Sequence, residues 1–118
     1  MAQQLNTRYI WYDFETTGFN PYSCQIIEIG AIDNYGNKLE VLLKSNKALS
    51  ERITEVTGIT NELLRENGVE QAEGLSKLRD FINLYNDNFK NNTYLIAHNN
   101  DAFDHLFLKF QFQKYNVE

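Results

Sequence analysis

The stretch "WYDFETTGF", Trp11 to Phe19, sets two carboxylates, Asp13 and Glu15, inside a run that otherwise reads as a hydrophobic strand. Residues 8 to 16 alternate Tyr9, Trp11, Asp13 and Glu15 with Ile10, Tyr12 and Phe14, so both faces carry apolar side chains and a central strand is expected. The same alternation sends Asp13 and Glu15 to one face, with β-carbons within roughly 7 Å of each other. Two ionised acids at that spacing repel, and desolvation in a sheet raises at least one pKa unless a cation is shared between them. The pair reads either as part of a metal site or as two solvated acids at an exposed strand end. Spacing alone leaves both open.

Composition narrows the partners. A chain of 118 residues, 42% hydrophobic and 14% aromatic, can bury one core and hardly two, so a single domain over 1–118 is expected. A net charge of −5 argues against holding nucleic acid by bulk electrostatics. If phosphates are handled, bound divalent cations must neutralise them, and paired carboxylates are what hard cations require. No apolar run has the length of a membrane span, and "MAQQLNTRYI" lacks a basic stretch followed by an apolar core, so an intracellular protein of cytoplasm or nucleus, with no membrane partner, is expected. Cys24, the sole cysteine, reads as a packed thiol, and the sequon "NNT" from Asn91 reads as a polar loop.

The remaining pattern alternates between the two secondary-structure periods. "CQIIEIGAID" and "KLEVLLK" read as two more strands joined by "NYGN", in which Gly36 takes the positive φ, giving an antiparallel meander of three. From Ser50, Ile53 and Val56 share a helical face, Gly58 is a stop, and Thr60 caps a short helix through Leu63 and Leu64. A longer helix is expected from about Val69 to Tyr85, with Leu75, Leu78, Phe81, Ile82 and Tyr85 as its apolar stripe. "TYLIA" at 93–97 reads as a fourth strand, reached by a crossover and parallel to the first. A last helix from about Ala102 places Phe103, Leu106, Phe107 and Phe110 at core spacing.

Asp104 lies at the start of that helix, immediately after the strand expected beside the first. Three acids are therefore expected to converge, and such a set resembles sites that hold two Mg²⁺ or Mn²⁺ ions about 3.5 to 4 Å apart for phosphodiester hydrolysis.

"DFETTG" at 13–18 resembles the first motif of the DnaQ-like 3′-to-5′ exonucleases of the DEDD superfamily, which have the ribonuclease H-like α/β fold. "LIAHNNDAFDHLFL" at 95–108 looks like their second motif, and "ITEVTGIT" at 53–60 is similar to the segment that lies against the 3′-terminal nucleotide. The likeness implies a mixed sheet, a three-stranded antiparallel meander plus a parallel fourth strand with flanking helices. It also implies that Asp13 bridges two metals, that Glu15 holds one of them or its water, and that Asp104 completes part of the cage. Thr16, Thr17 and Gly18 would approach the terminal nucleotide, where glycine permits close backbone contact. Ile59 would press on the terminal base or serve the core, Asn99 would steady the site, and His98 reads as a packed residue. His105 is expected to face solvent or the helix surface. One extra residue between Asn99 and Asp104 resembles the three-prime repair exonucleases of animals and hints at a eukaryotic or viral relative.

The family's third motif, a histidine or tyrosine followed by a fourth aspartate, has no counterpart before Glu118, although "FETTG" favours the histidine branch. The fold is thus expected to be incomplete at the C-terminus, and the isolated chain to cleave weakly, since a missing general base typically costs about 10² to 10⁴ in rate. Three readings follow: an exonuclease, truncated or completed by another chain, that releases nucleoside 5′-monophosphates from nucleic-acid 3′ ends; a catalytically inactive module that binds such ends or a protein; or an unrelated small interaction domain. Truncation would leave "TYLIA" an open edge and Phe107 and Phe110 an apolar patch, from which a homodimer or a fold-completing partner is expected.

Overall fold

The central strand is the one that carries the two acids. The computed structural model describes residues 7–84, 93–97 and 101–117, without the side chains of 101–103. It places β1 (Arg8–Thr16) between β2 (Ile26–Asp33) and β4 (Thr93–Ala97), with β3 (Lys38–Leu42) outside β2, in the order β3-β2-β1-β4. The pairs β1–β2 and β2–β3 are antiparallel, and β1–β4 is parallel with Tyr12 beside Ala97. This is the meander plus parallel strand expected from the sequence. Gly36 closes the β2–β3 turn at φ 92° and Gly58 ends its helix at φ 79°, a region that glycine enters without steric cost.

Two clusters cover the sheet's two sides. Ile10, Tyr12, Phe14, Ile29 and Ala31 pack with Leu75, Leu78 and Phe81 of α3 (Gln71–Ile82) and Phe107 of α4 (Asp101–Lys114). A smaller cluster joins Ile27, Leu49, Ile59 and Leu64 through α1 (Glu51–Thr57) and α2 (Asn61–Asn67). Leu42, the cross-strand neighbour of Glu28, packs against this second cluster, so α1 and α2 sit at one end of the face that bears Asp13 and Glu15. Ser50 and Thr60 cap these two helices through bonds to the Ile53 and Leu63 N–H groups.

Several expectations shift, each for a local reason. Val69 does not start α3, because it bridges β3: its N–H donates to Leu42 and its carbonyl accepts from Lys44, both at 2.8 Å. Helix α3 approaches β3 so closely that a Cβ on Gly74 would lie 2.5 Å from the Leu43 side chain. Tyr85 lies outside the described residues. Val56 is 68% exposed and α1 buries no residue, with Ile53 alone half-buried against the second cluster. In α4 the inward row is Asp104, Phe107 and Gln111, which turns Leu106 outwards to 50% exposure. Phe107 is fully buried, and Phe110 stands edge-on to Tyr22 with ring centroids 4.8 Å apart, so the expected apolar patch is not formed by this pair.

An ion pair that sequence reading did not single out ties these layers together. Arg8 Nε donates to Asp33 Oδ2 at 2.8 Å, with both side chains fully buried, and Arg8 Nη1 donates to the Ile82 carbonyl at 2.8 Å. The guanidinium also lies 5.1 Å above the Phe81 ring. Burial would raise the Asp33 carboxyl. Hydrogen bonds from the Asn37 side chain, Arg8 and the N–H groups of Asn37 and Tyr35 outweigh it and hold the pKa at about 2. Asp33→Asn leaves a buried guanidinium uncompensated and should lower urea-unfolding stability by about 3–5 kcal/mol. Because the folded-state carboxyl titrates below the unfolded value of about 3.9, its contribution should be complete above about pH 5 and disappear as pH falls towards 2. A pH-stability profile indistinguishable from that of Asp33→Asn would contradict this.

Candidate active site

Alternation along β1 turns Tyr12 and Phe14 into the core and Asp13 and Glu15 onto the other face, where the register supplies two further acids. Glu28 lies directly across from Glu15, and Glu40 follows Gly30, the partner of Asp13. The four are electrostatically coupled. Burial, then Asp13 and Glu28, raise the Glu15 carboxyl; burial, then Glu40 and Asp13, raise that of Glu28. Glu28 and Glu40 were missed because they emerge only from strand pairing. The Gly36 turn is the signal that could have set the register and exposed them.

Gly30 makes room among these carboxylates. A Cβ there would meet nothing within 4 Å, and a hollow of about 300 Å³ opens over it between Trp11, Asp13, Ile32, Lys38 and Glu40. The Asp13 and Glu40 carboxylates beside this open floor are of the kind that suits a hard divalent cation.

Asp104 is placed differently. It is 2% exposed, in the inward row of α4, which packs over the core face; the neighbouring His105 Nδ1 lies 2.7 Å from the Tyr12 hydroxyl. His105 therefore bonds inwards to β1 instead of facing solvent. Among the described residues no group of three or more His, Cys, Asp or Glu side chains is placed to hold a metal ion, so the expected three-acid convergence is not seen there. Asp13 and Glu15 share the open face, whereas Asp104 comes from the helix on the opposite one.

The loop after β1 is held by its own residues. The Thr16 hydroxyl donates to the Gly18 carbonyl at 2.7 Å, the Thr17 hydroxyl accepts from the Gln25 N–H at 2.9 Å, and the Gln111 amide donates to the Pro21 and Cys24 carbonyls. A Cβ on Gly18 would lie 2.7 Å from Cys24 Sγ, so here glycine permits a close approach within the chain. Cys24 is half-buried against the core, as a packed thiol should be. Ile59 is 4% exposed inside the second cluster, which is the core alternative for that residue. His98 and Asn99 lie outside the described residues.

A sheet of this order with paired acids on its central strand defines a class that comparison with known proteins identifies. The Exonuclease family model, RNase T, matches residues 10–118, and the chain belongs to that family. It is 35% identical over 114 residues to the PolC-type DNA polymerase III of Mycoplasma genitalium, and 32% identical over 110 residues to that of Bacillus subtilis. These alignments cover 93% and 90% of this chain but 7% of each polymerase. Among solved structures, Exonuclease I superposes with a TM-score of 0.80 at 18% identity over 95% of this chain, and E. coli Exonuclease I in complex with a dT13 oligonucleotide gives 0.81 over 96%. This chain spans about a quarter of those proteins: 26% and 25%. The fold is thus the ribonuclease H-like fold of the DnaQ-like exonucleases.

Removing one member of the facing acid pair should stabilise the fold. Glu28→Gln is expected to raise stability at pH 7 by roughly 0.2–1 kcal/mol, the cost of like charges directly opposed on a sheet. The raised carboxylates repel only when ionised, so the gain should shrink as pH falls through their titration and grow as it rises. Denaturant midpoints at pH 4 and pH 7 would show it. Destabilisation by Glu28→Gln at pH 7 would contradict the repulsion.

Proposed function

We propose that this chain is the catalytic part of a 3′-to-5′ exonuclease that hydrolyses phosphodiesters at DNA 3′ ends and releases nucleoside 5′-monophosphates. The observation that carries the reading is the position of Asp13 and Glu15, side by side on the open face of the central strand of a chain that matches the Exonuclease family over residues 10–118. The DNA polymerases and the oligonucleotide complex among its relatives support DNA as the substrate.

Asp13 and Glu15 would hold Mg²⁺ or Mn²⁺, two ions in the full site, with Glu28 adding negative potential from β2. When bound, such cations supply a water of lowered pKa and positive charge against the leaving oxygen. The chain's own carboxylates fix where that charge resides. Asp104 belongs to the same proposal, because β4 runs parallel to β1 and α4 therefore begins at the end of the sheet where Asp13 and Glu15 lie. Thr16, Thr17 and Gly18, in the loop following these acids, would line the terminal nucleotide, and Asn99 would steady it. Ile59 would act beneath that contact, from the core, as support for the α1–α2 segment.

A non-catalytic reading, a module that binds nucleic-acid ends or a protein, is favoured by one observation, the lack of a three-acid group among the described residues. Incubation of 5′-labelled single strands with Mn²⁺ or Mg²⁺ separates the two. Stepwise shortening from the 3′ end, reduced about 10²- to 10³-fold or more by Asp13→Ala, is the expected outcome. Undiminished cleavage by Asp13→Ala would remove the metal assignment, and metal binding without any cleavage would favour the module.

A further inference from the structure

Beyond the acids, at the same end of the sheet, the chain gathers positive charge. The segment after β3 and the face of α2 form a hollow of about 380 Å³ whose lining includes Lys44, Lys47 and Arg65. None of its lining residues is acidic, in a chain whose net charge is −5. Lys44 Nζ makes one long contact, 3.9 Å to Glu70 Oε2, between side chains 46% and 77% exposed, which contributes little.

The walls are set before any ligand arrives. The Ser45 hydroxyl donates to Gln25 Oε1 at 3.2 Å and to the Lys47 carbonyl at 2.8 Å, while the Asn46 N–H donates to the same Gln25 oxygen at 2.8 Å. Asn61 Oδ1 accepts from the Leu49 N–H at 2.8 Å. A hollow lined by two lysines and an arginine, with no acid among its lining residues, matches an anion, and a guanidinium fork suits a phosphate diester.

Position names the anion. Thr16 ends β1, Ile26 begins β2, and Leu43 leads out of β3 at one end of the sheet, bonded in turn to the Ile27 carbonyl. Adjacent strands are about 4.8 Å apart, so the β3 end lies about 10 Å from β1 across the sheet. We propose that the Lys44–Lys47–Arg65 cavity binds a backbone phosphate of the polynucleotide a few nucleotides upstream of the end held at Asp13 and Glu15. This inference rests on the exonuclease reading for its geometry. It gives an acidic protein a local electrostatic hold on its substrate.

The test uses the 118-residue chain, a fluorescent single-stranded oligonucleotide and anisotropy in EDTA, where metal-dependent hydrolysis is silent. The Lys47→Gln/Arg65→Gln variant should bind at least tenfold more weakly. The slope of log affinity against log salt should fall in magnitude by about 0.7, one phosphate contact on a single strand. The Lys109→Gln/Lys114→Gln variant removes the same charge from α4 and should bind like the parent. Equal weakening by both double variants would reduce the effect to bulk charge and overturn the proposal, as would unchanged binding by the first. Inorganic phosphate or a nucleoside monophosphate that binds with the same cation dependence, while oligonucleotides do not, would overturn it in favour of a free phosphate. Cation-dependent binding of oligonucleotides by a chain that cleaves nothing would uphold the cavity and refute the catalytic reading.

Discussion

The buried Arg8–Asp33 pair is the constraint on which the arrangement of layers depends. One guanidinium joins the start of β1, the end of β2 and the last turn of α3, and the same carboxylate organises the β2–β3 turn by accepting from Tyr35 and Asn37. A buried ion pair gains little over a well-packed apolar substitute, because desolvation offsets most of the attraction. Its consequence is geometric. An unpaired charge at either position is so costly that alternative strand registers, which would separate the two, are disfavoured. With Ile10 held opposite Asp33, the register carries Asp13 to Gly30 and Glu15 to Glu28.

That register concentrates negative charge on one face. Burial, and after it the neighbouring carboxylates, raise Glu15 and Glu28 on that face, and nothing in the packing of the fold calls for such a cluster. The arrangement costs the folded chain repulsion, and concentrated negative potential of this kind is what attracts cations. The core face shows the reverse economy, with the Tyr12 hydroxyl, the His105 ring and the Gln111 amide each bonded inside the fold.

The α1–α2 segment extends the same logic to the opposite sign. Its two helices are short, of seven residues each, and are held by the small cluster around Ile27, Leu49, Ile59 and Leu64 and by the Ser50 and Thr60 caps. That anchoring gives the segment before α1 and the outer face of α2 a common support, on which lysine and arginine side chains face a shared cavity. Acids at the end of β1 and cations beyond β3 thus occupy separate territories at one end of one sheet.

Much of this was legible from the chain alone. Period-two alternation identified β1 and the shared face of Asp13 and Glu15, because strand geometry fixes side-chain direction irrespective of context. Gly36, Gly58 and Thr60 marked turns and caps for similarly local reasons. The parallel direction of β4 followed from its helical crossover, and its place beside β1 from the family resemblance. Tertiary structure alone decided the rest. Arg8 and Asp33 are 25 residues apart and look like ordinary surface charges until burial joins them. Glu28 and Glu40 became neighbours of the acid pair only through cross-strand register. His105 turned inwards, and Val56 and Leu106 outwards, because the faces of α1 and α4 are chosen by what they pack against. The periodicity of a short helix fixes which residues share a face, whereas its partners determine which face is buried.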